Sequence, residues 1–485
     1  MENEDGNQKQ QMIVKHSAEL EKSIAGFNAP LADFLNELKL PVDNILYPIS
    51  ERKKVINALD EALQVLSIPE REKAFYLTKF TVAVAVGLFD GALNYLWNET
   101  IQAIRTLIIN FDLEYFFSVA EKVSSRNKSL NTEEDVEQIS DHDLLEAARR
   151  IGLLSDVNHK RLDHINYMRN HLSAAHPNEN EIDGFEILGW LSNCLKYAIT
   201  AKPDHSTVSV KRLLENIRTI VVPTTDVPVI ITDIARLPQE RIDDLIWTLF
   251  GMFTDVRLIA QARTNIQSLC KGIWDATTED RKYEIGSRYG VFRKNADVPR
   301  KDLAQDFLTI VSGLKYKDDD SLAGELIDKL DNLKTVHFSW NNFYNESPIA
   351  ASLGDSLPPN GSVPRAARSH WVKVICICVV GNGLGYREGV DERAMQFYNH
   401  YLTLFTEAEI IDFLHLFNDP EFTSAFHLNK PDARLRKLAA YLGSKTTHVH
   451  IQKGLDLVIN GPQNKLDRIA PTTEFKNVLQ QLPKK

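Results

Sequence analysis

The residue types best suited to acid–base chemistry stand together in one stretch, Arg169-Asn170-His171-Leu172-Ser173-Ala174-Ala175-His176, followed by Pro177. A guanidinium can hold a phosphate and offset charge that builds up on it, and an imidazole can take or give a proton near neutral pH. Arg169 and His176 are seven positions apart, so a continuous helix puts them on one face with about 10 Å of rise between them. Pro177 disfavours helical geometry at His176, so the helix is expected to end there and let the ring swing back toward the arginine. A helix C-terminus favours a protonated imidazole, which suits a general acid. These points nominate His176 over His171, which adjoins the pair Arg169-Asn170 and is expected to face solvent or a phosphate. The plainer alternative makes Arg169 a surface ion-pair partner and His176 a helix-terminal residue bonding a last-turn carbonyl.

The elements that must position this stretch read as helices. Leu162, Ile165, Met168 and Leu172 recur at helical spacing, predicting a helix over 158–175 with these residues on its buried face. Before it, 141–152 reads as a helix capped by Asp141 and closed by Gly152, and after it 182–201 closes the bundle. The stretch 70–117 is the most apolar in the chain. Leu77, Val84, Leu88 and Tyr95 line one face, and Val82, Val86, Phe89, Leu93 and Trp97 another, as for a helix central to a bundle. Further upstream, Val55, Leu59, Leu63 and Leu66 mark a helix, and Ser67 with Pro69 starts the next. The first twenty or so residues are polar and expected to be mobile. Short links between these helices suggest a compact bundle.

With 485 residues, the chain is long enough for more than one domain. Its 43% apolar and 25% charged residues suit a folded globular protein. A net charge of -10 argues against coating nucleic acid through a broad basic surface and leaves room for one local basic cleft. Four scattered cysteines make no disulfide framework. The start is acidic and unlike a signal peptide, and the longest apolar candidate, 82–89, stops at Asp90, so a cytoplasmic protein without membrane contact is expected.

In this context the stretch resembles the active motif of the HEPN superfamily: an arginine, then commonly Asn, Asp or His, and a histidine after four to six intervening residues. Here Arg169 is followed by Asn170, and six residues precede His176. The flanking pattern agrees, with a long apolar first helix, a helix–Gly-Leu-Leu–helix run over 144–163, and a closing helix holding Leu188, Leu191 and Leu195. The resemblance covers about residues 68–202. It implies metal-independent endoribonuclease activity in a site shared across a homodimer, with no cofactor. Attack by the ribose 2′-OH would leave a 2′,3′-cyclic phosphate. One histidine fills one proton-transfer role at a time, so two copies facing each other make mechanistic sense. Arg169 would hold the phosphate, and Asn170 would orient phosphate or histidine. Many relatives also place an acid on the first helix near the arginine; the comparable stretch offers Asp90 or Asn94. The resemblance further implies a regulated toxin or abortive-infection effector of antiviral defence, with the remainder of the chain sensing a trigger or partner. A non-catalytic helical scaffold, dimerisation module or sensor is the alternative.

Other signals are thinner. The loop Gly381-Asn382-Gly383-Leu384-Gly385 lacks a phosphate-binding fingerprint and reads as a turn before a helix capped near Asp391; nucleotide binding there is the rival. Short extended segments are possible at 372–380, which would align Cys376 and Cys378 as core residues, and at 449–451, which would project His448 and His450 together. Neither pair completes a metal site. Arg281, Lys282, Arg288, Arg293, Lys294, Arg300 and Lys301 alternate with Tyr283, Tyr289 and Phe292, as a solvated helical face or an RNA grip would. Arg434, Arg436 and Lys437 form a shorter group of the same kind. The resulting expectation is an all-α chain: an N-terminal arm and helix (1–66), a HEPN-like bundle (67–202), and a larger helical C-terminal region. That region comprises 206–346 and 366–485, with a break at 347–365 and helices at 241–253, 301–314, 321–333, 393–405 and 407–417.

Overall fold

The computed structural model describes residues 2–43, 45–172, 182–384 and 389–483. Among the described residues, twenty-four α-helices and no strand make the fold all-α. Two compact units divide the chain, Met1–Met252 with Ile259–Ala276, and Phe253–Leu258 with Thr277–Lys485. The expected segments 1–66 and 67–202 both fall in the first unit, 206–346 is shared by the two, and 366–485 falls in the second. No helix among the described residues is long and apolar enough to cross a membrane.

In the first unit, the polar N-terminal stretch lies in the helix α1 (Glu2–Glu37). Polarity alone suggested mobility, yet Glu, Gln, Lys and Ala are strong helix formers. Helix α2 (Ile49–Leu63) buries Val55 and Leu59. At α3 (Ile68–Lys73) the expected start is present: Ser67 caps, Pro69 lies in the first turn, and Glu70 reaches back to the Ser67 amide at 2.7 Å.

The apolar stretch after α3 is a helical hairpin. Gly87, at φ +95°, separates α4 (Phe75–Val86) from α5 (Phe89–Ile109). A Cβ at Gly87 would lie 2.4 Å from the Nε of buried Arg52, so backbone conformation and crowding both require glycine. The break resets the helical phase. Leu77, Phe80, Ala83 and Val84 turn inward on α4, whereas Val82 and Leu88, expected inside, are exposed. On α5 the buried side chains Leu93, Leu96, Trp97, Ile101, Ile104 and Ile108 follow the three-to-four spacing of one apolar stripe.

After α6 (Leu113–Val123), α7 (Asp141–Arg150) is capped by Ser140, whose hydroxyl accepts the Asp143 amide at 3.2 Å. Asp141 is therefore free of the capping role expected for it. On α8 (Asp156–Leu172), Leu162 and Ile165 are buried, while Met168 and Leu172 are half-buried. A capping box of Asp183 and Glu186 opens α9 (Gly184–Cys194), which continues into a π-helical turn, Leu195–Ile199. Helix α5 packs against α4, α7, α8 and α9 and is the axis of this bundle.

In the second unit the ambiguous stretch 372–380, for which an extended form was possible, lies in the helix Arg368–Val380, buried on nearly all sides from Trp371 to Val380. Its all-apolar run satisfies a central helix as well as a strand, and burial around the full circumference selects the helix. Similarly, 449–451 opens the helix Val449–Asn460. The stretch 347–365 lies inside this unit, with Ala350, Leu353 and Leu357 in its core. The helices expected in the second half of the chain are present as Gln239–Thr254, Val298–Ile310, Asp319–His337, Met395–Thr403 and Glu407–His415.

Candidate functional site

Three helices converge on Arg169, in the last turn of α8. Its Nε donates to Asn94 Oδ1 on α5 at 3.1 Å, and its Nη1 to Asn170 Oδ1 at 3.0 Å. The same Nη1 lies 3.6 Å from Asp141 Oδ2 on α7. That carboxylate oxygen also accepts the indole N–H of Trp97 at 2.7 Å. Trp97 is wholly buried, whereas Arg169 and Asp141 keep 28% and 27% of their side-chain surface accessible. A rigid core residue thus anchors a carboxylate, and the carboxylate steadies a cation that solvent and a solute can reach.

Of the two residues offered for the place beside the arginine, Asn94 makes the contact. Asp90 stands at the start of α5, where its Oδ1 accepts the Gly91 amide at 2.8 Å and its carbonyl accepts from Asn94 Nδ2 at 3.2 Å. The acid near Arg169 comes from α7 as Asp141, which sequence reasoning had assigned to capping. One signal could have found it: a buried indole N–H needs an acceptor, and Trp97 was already placed on a buried face. Asn170 is exposed, with its Nδ2 3.5 Å from Asn166 Oδ1. His171 is exposed as expected; its ring stacks on Tyr167 at 4.1 Å, and its Nδ1 meets the Tyr167 carbonyl at 2.7 Å. His176 lies outside the described residues, which resume at 182.

Nearby groups fix the helices rather than extend the chemistry. Glu99 on α5 accepts the Tyr76 and Leu77 amides of α4 at 3.0 and 3.3 Å. Burial raises its carboxyl pKa, and those two bonds partly counter the rise. On α8, burial lowers the His159 pKa although Glu146 lies 3.4 Å away, so the ring is mainly neutral at pH 7. The Arg149 guanidinium, hydrogen-bonded to Glu146 at 2.6 Å, holds that carboxyl below its usual range.

The thinner signals resolve mostly into structure. Arg281 pairs with Glu284, Lys282 with Glu279, Arg293 with Asp318 and Lys301 with Asp302. Arg436 turns inward to Asp432 and the carbonyls of Ile459 and Gly461. Arg434 and Lys437 line a cavity of about 620 Å³ with Val379, Leu402, Leu438 and Tyr441. In the glycine loop, Asn382 donates to the His337 carbonyl at 2.6 Å, and residues 385–388 lie outside the described set. Asp391 Oδ1 accepts the Arg393 amide at 2.9 Å ahead of the helix Met395–Thr403. His448 and His450 sit at the start of the helix Val449–Asn460, ring centroids 5.8 Å apart, rather than on a strand.

On a helix, residues two apart diverge, so Cys376 and Cys378 do not share a face as they would on a strand. Cys378 instead joins His337 and Glu346, the one group among the described residues with the donors to hold a metal ion. Burial, reinforced by the Glu346 carboxylate, pushes the Cys378 thiol pKa well above its usual value. Sequence spacing gave no hint of this group, because its members come from three different helices. Comparison with protein-family models, curated proteins and solved structures returns no match.

Proposed function

We propose that the first unit is a metal-independent endoribonuclease of HEPN type, with Arg169 as its phosphate-binding group. The observation that carries the reading is the arrangement at the end of α8. A solvent-accessible guanidinium is oriented by Asn94 and Asn170 and steadied by Asp141. Oriented donors aimed at a phosphate stabilise charge that develops during reaction, without reorganising at the moment of reaction.

On this reading the ribose 2′-oxygen attacks the adjacent phosphorus as its proton passes to a base. The bond to the 5′-oxygen breaks as that oxygen takes up a proton, leaving a 2′,3′-cyclic phosphate and a 5′-hydroxyl. His176 supplies one of the two proton transfers, and His176 of a second copy supplies the other, which makes the working form a homodimer. The remainder of the chain restrains or triggers the nuclease, as a toxin or anti-phage abortive-infection effector requires. One departure from the family pattern concerns the acid: Asn94 contacts Arg169 from α5, and Asp141 provides the charge from α7.

A second reading takes the same contacts as a clasp among α5, α7 and α8 in a non-catalytic dimerisation or sensor bundle. The two are separated by assaying wild type, Arg169→Ala and His176→Ala for RNA cleavage, cyclic-phosphate ends and growth arrest. Loss of all three in both variants, with the melting temperature preserved, supports the nuclease. Unchanged cleavage and toxicity in both would sink it, as would a loss that merely tracks unfolding.

A further inference from the structure

We propose that His337, Glu346 and Cys378 bind one zinc ion in the core of the second unit. The three come from consecutive helices, Asp319–His337, Asn342–Ser352 and Arg368–Val380. All three side chains are fully buried, and their ligand atoms lie within 4.8 Å of one another. Tetrahedral zinc with nitrogen, oxygen and sulfur donors sets ligand separations of about 3.3–3.8 Å. His337 Nδ1 and Glu346 Oε2 stand 3.1 Å apart, close to that range.

Donor chemistry selects the metal. One imidazole nitrogen, one carboxylate oxygen and one thiolate suit zinc, whereas calcium and magnesium take oxygen donors. Charge agrees as well: a thiolate and a carboxylate together neutralise a divalent cation, and a neutral imidazole adds nothing. A dry site can hold such an assembly, while a buried carboxylate without a compensating charge is costly. The chain alone does not satisfy the imidazole, because Nε2 of His337 is buried with no hydrogen-bond partner.

The surroundings are those of a positioned ligand set. Tyr398, fully buried on the helix Met395–Thr403, donates its hydroxyl to Glu346 Oε1 at 2.5 Å and fixes that carboxylate. Asn382 donates to the His337 carbonyl and pins the end of its helix. Three protein donors leave the fourth tetrahedral position to a non-protein ligand, and the ion would tie together helices that apolar packing and hydrogen bonds already join. The inference concerns the second unit and does not rest on the ribonuclease reading.

The test uses the full chain, expressed in zinc-supplemented medium and analysed by inductively coupled plasma mass spectrometry. About one zinc per chain is expected, falling to background in Cys378→Ser and His337→Gln and unchanged in Cys376→Ser. Should the ligand variants fail to fold, wild-type protein stripped with a chelator and titrated with Co²⁺ still decides the matter. A thiolate-to-cobalt charge-transfer band and recovery of the melting temperature are expected. Zinc-free wild type whose absorption and melting temperature ignore added Zn²⁺ and Co²⁺ would overturn the site. A charge-transfer band that survives in Cys378→Ser would do the same.

Discussion

The Arg169 cluster and the His337 cluster are both polar groups held by three helices, yet they are built on opposite plans. Around Arg169 the guanidinium is paired with the Asp141 carboxylate, both side chains are partly accessible, and that acid is shared with a buried indole. Around His337 the side chains of His337, Glu346 and Cys378 offer nitrogen, oxygen and sulfur donors and are fully enclosed. An accessible cation suits a polyanion that comes and goes, because its charge is solvated between encounters. An enclosed anionic group suits a cation that stays, because leaving would strand a carboxylate in the core. If both proposals hold, the same helical architecture separates transient from resident binding by burial.

The largest expected effect breaks the first half of that comparison. Arg169→Ala and His176→Ala should each lower RNA cleavage by about 10²- to 10⁴-fold. Arg169→Lys should fall between, because a point charge cannot keep the directed bonds to Asn94 and Asn170. Single-turnover cleavage of a labelled RNA, read beside thermal melts, checks both. Next in size is metal removal: at a hundredfold excess over the dissociation constant, zinc should stabilise the second unit by about 2.7 kcal/mol. Chelation should therefore lower its melting transition in calorimetry and leave Arg169-dependent cleavage intact if the units are independent.

Smaller effects sharpen the picture. Asp141→Ala strands the buried Trp97 N–H and should cost about 1–3 kcal/mol in denaturant unfolding. Asp141→Asn, which keeps an acceptor, should recover most of it while still losing the charge beside Arg169. The smallest concerns the Glu146–Arg149 pair of the first unit. A carboxyl held low in the folded state contributes stability above the unfolded carboxylate pKa of about 4.3, and loses it as pH falls through the lower folded value. Both side chains retain solvent contact, so the effect should stay below about 1 kcal/mol. Glu146→Gln should flatten the acid limb of an unfolding-versus-pH curve by that amount, and a larger change would mark the pair as structurally central.

What could be read from sequence divides along physical lines. Helical class followed from periodicity, and Ser67-Ile68-Pro69-Glu70 declared a helix start because capping is local chemistry. The phase of the apolar faces was misread where Gly87 adopts a left-handed conformation, since one such residue rotates every later side chain. The segment 372–380 was ambiguous because an apolar run without polar residues carries no period. At the candidate site, Arg169, Asn170 and Asn94 were legible from a motif contiguous in sequence or from its family pattern. Asp141 and the His337–Glu346–Cys378 group were not, because their partners lie far along the chain and only tertiary packing unites them.

The bond from the Trp97 indole to Asp141 gives the molecule a built-in optical probe. A phosphate that draws the Arg169 guanidinium toward itself changes the electric field felt by an indole bonded to the same carboxylate, and indole emission responds to such fields. Among six tryptophans, Trp97 alone touches that carboxylate among the described contacts. A Trp97→Phe difference spectrum therefore isolates its signal, so that occupancy at the arginine can be followed in real time without a label and without turnover.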